Sequence, residues 1–265
     1  MKLQYNNLEE LDLGALDTAV SNAFNTPTTF LNNFDLDSIT PTSGNNTRVT
    51  GYDNNGNQIV IKGNHFVDDS PLITVTSVEF SNSSTGYFKI SGSVSLNYYT
   101  GIYSGYYSSF TYQSKTNNES IQYVGRLNVN SYSADITGGI LTQLTVVNDD
   151  FSYSVKGNIS VNADVDIIGG TVSDFSLSDA NGNSLSFSGM SLSALTFDQL
   201  SDFQTNSDLT NLFNYISSNL SGNFSIQAGS GDQTLVGNGG NNTLDGGSGN
   251  DTLDGEDGLD TLIGG

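Results

Sequence analysis

The stretch GGSGNDTLD, residues 246–254, recurs in related form every nine residues near the end of this 265-residue chain. The four units are AGSGDQTLV (228–236), GNGGNNTLD (237–245), GGSGNDTLD (246–254) and GEDGLDTLI (255–263). Every unit has a glycine at its fourth place and a leucine at its eighth place. A fixed period of this kind predicts a coil in which each unit repeats one backbone conformation.

Six residues of each unit suit a turn, and three suit a short strand that carries its leucine inward. Successive turns then lie on opposite sides, so turns 18 residues apart are expected to stack. Glycine permits positive φ angles and a close approach of carbonyl groups to an ion. Calcium accepts six to eight oxygen ligands from carboxylates and carbonyls. Zinc would need His or Cys ligands, which this segment lacks. The repeat therefore predicts a parallel β-roll that binds Ca²⁺.

The predicted ligands are turn glycines and the polar side chains beside them. They are Gly229, Gly231, Asp232, Gln233, Gly240, Asn242, Gly246, Gly247, Gly249, Asp251, Asp257, Gly258 and Asp260. With 18-residue stacking, Asp251 faces Gln233 and Asp260 faces Asn242, so each pair offers one carboxylate and one amide. Because affinity follows ligand charge, we expect weak sites, with dissociation constants of roughly 10⁻⁴–10⁻³ M.

The unit G-G-x-G-x-D-x-U-x is the RTX, or haemolysin-type, calcium-binding repeat, and residues 246–254 resemble it at every fixed place. The resemblance covers residues 228–265. It implies calcium ions between stacked turns and export of the full-length chain by type I secretion machinery, and hence an extracellular protein. In this family the export signal follows the repeats, so we expect this chain to be a C-terminally truncated fragment.

The charge of the chain is strongly one-sided. The net charge is −21, and no Lys or Arg follows Lys156. Nucleic acids and anionic membranes are disfavoured as partners, because both attract Lys and Arg. Seven carboxylates and no cation lie in residues 228–265, so metal binding is expected to supply folding free energy there. The chain has no cysteine and no stretch long and apolar enough to span a membrane.

A second repeat precedes the roll. Alternating apolar residues surround a central glycine in five stretches, at Gly63, Gly92, Gly125, Gly157 and Gly189. Alternation of this kind predicts strands with one buried face, and glycine inside a strand marks a bulge or a close approach of backbone. Turn signals between the strands predict hairpins. A β-solenoid is the alternative interpretation of the same period.

These patterns predict an α+β fold that is mostly β. Residues 1–225 are predicted to form an antiparallel meander of hairpins, with flanking helices over about 7–24 and 207–220. Residues 226–265 are predicted to form the parallel calcium β-roll. The leucines and alanines of the first helix, and the leucines of the second, lie at helical spacing.

The function of the meander is less constrained by the sequence. We expect a binding or structural module that contacts a glycan or cell-surface ligand, and no enzyme. His65, the one histidine, is expected to be a half-buried strand residue. As an alternative, the order of sheet and helix resembles that of secreted haemophores, with His65 as a ligand. A hydrolase that uses two carboxylates is a third interpretation, although no sequence feature marks such a pair.

Overall fold

A computed structural model describes residues 40–66, 70–97, 99–116, 118–132, 135–149, 151–179, 184–200, 219, 223–229 and 231–265. The predicted helices over about 7–24 and 207–220 lie outside the described residues, apart from Asn219. The described residues fall into two compact units. The meander unit comprises 40–146 and 160–166, and the roll unit comprises 147–159 and 167–265. The predicted division near residue 225 stays a prediction.

The meander unit is an antiparallel sheet whose strands follow one another in chain order. Its strands are β1 (Thr40–Asn45), β2 (Arg48–Tyr52), β3 (Gln58–Asn64), β4 (Leu72–Asn82), β5 (Gly86–Asn97), β6 (Ile102–Ser114), β7 (Ser120–Val129) and β8 (Ile136–Val147). The predicted antiparallel meander is confirmed. The solenoid alternative is wrong here, because sequential neighbours pair as hairpins in opposite directions.

Asparagine closes most of these hairpins. The side-chain oxygen of Asn97 accepts hydrogen bonds from the backbone N–H groups of Tyr99 and Thr100, both at 3.1 Å. Asn82 does the same for Ser84 and Thr85, at 2.8 and 3.0 Å. Such Asx turns satisfy backbone donors at the tip of a hairpin. Much of the asparagine of the sequence therefore has a local structural role.

The central glycines allow neighbouring strands to approach closely. A Cβ atom at Gly92 on β5 would overlap the carbonyl oxygen of Tyr106 on β6. A Cβ atom at Gly105 would in turn overlap the carbonyl oxygen of Ser93, and Gly105 has a φ of 117°. The register shifts between Ser91 and Gly92, so a bulge lies at this crossing. Gly63 and Gly125 approach their partner strands in the same way. Only glycine fits at such positions.

The structure corrects the expectation for His65. Strand β3 ends at Asn64, and His65 is exposed with a φ of 65°. The alternating pattern that was predicted to include His65 therefore ends with the strand, before this residue. The left-handed backbone turns the chain out of the strand, so His65 is a loop residue and not a half-buried strand residue.

Among its described residues, the roll unit continues with strands and a short helix. These are β9 (Phe151–Val161), β10 (Ile167–Asp179), β11 (Ser184–Ser188), β12 (Leu192–Ser193), α1 (Ala194–Leu200), β13 (Ser225–Ala228), β14 (Thr234–Val236), β15 (Thr243–Asp245), β16 (Thr252–Asp254) and β17 (Thr261–Ile263). The sheet order is β9-β10-β11-β13-β15-β17, with β12 beside β10, while β14 and β16 form a second sheet. No helix within the described ranges has the length and apolarity needed to cross a membrane.

Aromatic residues form the core of the roll unit. Phe175 on β10 is 1% exposed, and its ring centre lies 5.7 Å from that of Tyr153 and 5.6 Å from that of Phe197 on α1. Helix α1 therefore covers this part of the sheet. Burial raises the pKa of the Tyr153 hydroxyl, and nearby Asp198 adds to the shift.

Strand β13 belongs to both the antiparallel and the parallel parts of the sheet. It pairs antiparallel with β11, where Ile226 opposes Phe187, and parallel with β15, where Ile226 opposes Leu244. From there onward each strand pairs with the strand 18 residues later: Thr234 with Thr252, and Thr243 with Thr261. Leu235 and Leu244 are fully buried. The predicted parallel roll is confirmed.

We predict that Gly92→Ala destabilises the meander unit by about 2–3 kcal/mol, because the new methyl group would push β6 away from β5. Urea unfolding followed by tyrosine fluorescence measures the loss. Gly44→Ala is the matched control: its Cβ would meet only ordinary contacts, the nearest at 3.4 Å. Equal stability of the two variants would contradict the close-approach explanation.

Candidate metal centre

The turns of the roll lie on two sides. Turns 229–233 and 246–251 form one side, which we call the Asp251 side. Turns 237–242 and 255–260 form the other, which we call the Asn242 side. Each turn joins a strand of the β13-β15-β17 sheet to a strand of the β14-β16 sheet.

On the Asp251 side, the sixth-place side chain of one turn bonds to the backbone of the stacked turn. Oδ1 of Asp251 accepts a hydrogen bond from the N–H of Gln233 at 3.0 Å, and Gln233 is 1% exposed. Asp232 accepts a hydrogen bond from the N–H of Asn250 at 2.7 Å. Both contacts span 18 residues, so Asp251 and Gln233 face each other as the repeat predicts.

The second carboxylate oxygen of Asp251 has a different environment. Oδ2 is buried and accepts no hydrogen bond from any residue that the structure describes. A buried carboxylate oxygen is costly unless a hydrogen-bond donor or a cation compensates it. Calcium is such a cation, and it prefers carboxylate and carbonyl oxygens of this kind. The Asp251 side therefore fits a calcium ion.

Glycine at the first place of the unit makes room for the sixth-place side chain. A Cβ atom at Gly246 would overlap Oδ2 of Asp251, and one at Gly255 would overlap Oδ2 of Asp260. The side chain thus folds back over its own turn. At the second and fourth places, Cβ atoms at Gly247 and Gly249 would overlap the carbonyl oxygens of Gly229 and Gly231 in the stacked turn. These glycines keep the stacked turns close together.

The Asn242 side is built differently. Oδ1 of Asn242 accepts a hydrogen bond from the N–H of Asn238 at 2.7 Å, and its Nδ2 donates to Oδ1 of Asn238 at 3.2 Å. The two side chains are 2% and 5% exposed. Asp260 contributes Oδ1, which accepts a hydrogen bond from the N–H of Asn242 at 2.7 Å. The predicted pairing of the Asn242 and Asp260 turns is thus present in the structure.

The remaining predicted ligands on the Asn242 side are Asp257, Gly240 and Gly258, and one further residue of this side was not predicted. Asp257 is exposed, and Gly240 and Gly258 lie in stacked turns on the Asn242 side. The sequence interpretation missed Asn238, which forms the amide pair. Its signal was available, because Asn occupies both the second and the sixth place only in the unit 237–245.

No three side chains of the His, Cys, Asp and Glu types converge on a metal-sized space among the described residues. A calcium ion on the Asp251 side would therefore draw most of its ligands from amide and carbonyl oxygens. Because the ligand charge is low, weak binding remains our prediction.

The meander unit has a separate surface feature. A groove of about 210 Å³ lies over strands β4, β5 and β6. Its apolar and aromatic lining includes Val75, Val78, Ile90, Val94, Tyr103 and Tyr107. Burial raises the pKa of Tyr107, and the negative charge of Asp135 and the hydroxyl of Tyr103 add to the shift. His65, the residue of the haemophore alternative, does not line this groove.

Two exposed tyrosines lie at one end of the same sheet. Tyr99 in the β5–β6 turn is 78% exposed, and Tyr132 in the β7–β8 turn is 85% exposed. The N–H of Tyr103 donates to the carbonyl oxygen of Ser131 at 2.8 Å, which holds the second turn beside the start of β6. The hairpin topology therefore presents both rings to solvent at the same sheet end.

Among known protein families, one matches the segment that forms the roll. Residues 227–262 match the model of the RTX calcium-binding nonapeptide repeat in four copies. The chain thus carries RTX repeats, and calcium is the metal of these repeats. No curated protein and no solved structure matches the chain.

We predict that Gly246→Ala weakens calcium binding by about tenfold or more, because a methyl group there would displace the Asp251 carboxylate. Isothermal titration calorimetry with calcium measures the affinity. Gly239→Ala is the matched control, since a Cβ atom at Gly239 would meet no atom within 4 Å. Loss of affinity in both variants would show that calcium binding tolerates no added side chain in either of these two turns, and would contradict a specific role of Asp251.

Proposed function

We propose that this chain is a secreted calcium-binding protein whose RTX roll becomes fully ordered when calcium binds outside the cell. The observation that carries the proposal is the buried, uncompensated Oδ2 of Asp251 in a stack of glycine turns. The ligands on this side are Asp251 and the oxygens of the Gln233 turn. Type I secretion machinery is the proposed export partner, because it exports other RTX proteins.

Charge supports the coupling of calcium to folding. Seven carboxylates repel one another in residues 228–265, and no Lys or Arg in that segment offsets them. A cation removes this repulsion only when the turns are stacked, so its binding free energy stabilises the roll. Cytosolic calcium is too low to fill weak sites of this kind, which keeps the metal-binding turns loosely ordered before export.

We predict that Asp251→Asn weakens calcium binding on its side of the roll. Asparagine keeps Oδ1 as the acceptor for the Gln233 N–H, so only the charged Oδ2 ligand is lost. Calcium titrations of the full chain, by calorimetry and by far-UV circular dichroism, measure affinity and new β structure. We expect affinity to fall at least about tenfold.

The control is Asp254→Asn, which removes one charge from the same nonapeptide. Asp254 is exposed, and its Oδ1 accepts only a local hydrogen bond from the N–H of Glu256 at 3.1 Å among the described contacts. We expect near-normal affinity in this variant. Equal losses in the two variants would mean that calcium responds to overall charge and not to a site at Asp251.

We further propose that the meander unit is a binding module for a neutral glycan of a cell surface or matrix. The exposed rings of Tyr99 and Tyr132 support this, because sugars stack on aromatic faces while hydroxyl groups bond to polar neighbours. A neutral ligand suits a chain with a net charge of −21, since an anionic one would be repelled. The proposal assigns no catalytic step to the chain.

We predict that Tyr99→Ala and Tyr132→Ala each weaken glycan binding about tenfold, the loss expected from one stacking contact of about 1.4 kcal/mol. A glycan array identifies the ligand, and titration of the best hit compares the variants. Tyr52→Ala is the control, because Tyr52 is 39% exposed at the opposite sheet end. Unchanged binding in both turn variants would overturn this assignment.

A further inference from the structure

The two sides of the roll differ in how their turns are closed. On the Asp251 side a buried carboxylate oxygen accepts no hydrogen bond from the described residues. On the Asn242 side the corresponding carboxylate is Asp260, whose Oδ1 accepts the N–H of Asn242, and among the described residues neither of its oxygens is buried without a partner. The amide of Asn242 is bonded to Asn238 through both of its polar atoms. Asn238 also accepts a hydrogen bond from the N–H of Gly240 at 2.8 Å. The interior of turn 237–242 is thus filled by an amide pair.

Backbone conformation independently separates this turn from the others. The fourth-place glycines Gly231, Gly249 and Gly258 have φ angles of 99°, 140° and 133°. At the second place, Gly247 and Glu256 have φ angles of 77° and 60°. Neither Asn238 nor Gly240 is among the described residues with a positive φ. The fourth place therefore separates turn 237–242 from the other three turns, because Gly240 lacks the positive φ that their fourth-place glycines share.

Besides the Asp260 contact, two stacking contacts on this side are made by amide side chains. The side-chain oxygen of Asn223 accepts a hydrogen bond from the N–H of Asn241 at 2.8 Å, and that of Asn241 accepts one from Leu259 at 2.9 Å. These bonds form a ladder at 18-residue steps that carries no charge. On the Asp251 side the contact at the same place of the unit is made by the Asp232 carboxylate, which accepts the N–H of Asn250.

From these observations we infer that turn 237–242 is closed by the Asn238–Asn242 amide pair in place of a metal ion, so that the chain takes calcium on the Asp251 side only. Asn238 engages both Oδ1 and Nδ2 of Asn242, and an amide N–H group repels a cation placed beside it. The inference deepens the proposed calcium function and rests on it for the stoichiometry. The Asn242 side is then a calcium-independent part of the roll, held together before the ion arrives.

The first test is amide hydrogen exchange, followed by NMR on the full chain with and without calcium. In excess chelator, we expect the Asn238 amide to exchange slowly and the Gln233 amide to exchange at least about tenfold faster. Added calcium should slow Gln233 and leave Asn238 unchanged. An Asn238 amide that becomes protected only on adding calcium would overturn the inference.

The second test is Asn242→Asp, which puts an oxygen in the place of Nδ2, against Oδ1 of Asn238. We expect calorimetry to show about one calcium per wild-type chain and about two per variant chain. The Asn238 amide of the variant should lose its protection in chelator. Asn241→Asp is the matched control, because it adds the same charge in the same turn and keeps the acceptor for Leu259.

The outcomes separate the two proposals. If the wild-type chain binds no calcium, the proposed function fails, while Asn238 exchange in chelator still decides whether the amide pair closes the turn. If the wild-type chain binds two ions, or if Asn241→Asp gains calcium like Asn242→Asp, the inference fails and the proposed function stands. If Asn242→Asp does not fold, the wild-type exchange rates decide.

Discussion

The pairing of β13 on both of its edges is the constraint on which the C-terminal architecture depends. One edge completes the antiparallel pairing with β11, and the other edge begins the parallel pairing with β15. An uncovered sheet edge invites pairing with other chains, and the first coil of the roll covers this one. The buried Ile226 fixes the register, because Phe187 and Leu244 flank it on the two edges. The roll therefore starts on a folded sheet and inherits its alignment.

Glycine serves one physical purpose in both units, although its period differs. In the meander it admits a carbonyl group of the adjacent strand, as at Gly92. In the roll it admits either a carbonyl group of the stacked turn, as at Gly247, or the side chain of its own turn, as at Gly246. The glycines of the meander are therefore spaced 29–33 residues apart, and those of the roll nine residues apart, because each spacing matches the repeat of a close backbone contact.

Periodic features of the structure could be predicted from the sequence, whereas single departures could not. Alternation in residues 151–161 gave a strand with Val155 and Ile159 buried, and the nine-residue period gave the 18-residue stacking. Periods are readable because every unit repeats the same steric demand.

The departures depend on contacts that local sequence does not contain. His65 leaves its strand because of a left-handed backbone at one residue. The amide pair forms between Asn238 and Asn242, so predicting it requires both positions of the turn to be considered together. Strand β13 pairs with one strand about 40 residues upstream and with another 18 residues downstream, and neither partner can be identified from the sequence near β13. Helix α1 is only seven residues long, too short for its own periodicity to be recognised.

Because strands pair at 18-residue steps, odd-numbered and even-numbered units of the roll place their turns on different sides. Every nonapeptide moves the chain to the opposite side, so two residues share a side only when an even number of units separates them. Loss of the single unit 237–245 would place the Asp251 turn opposite the Gln233 turn instead of above it, although every remaining repeat would still match the pattern. Gain or loss of units in pairs keeps every remaining turn on its original side. Tandem duplication in this segment therefore preserves the side of each later turn in steps of two and exchanges the sides in steps of one.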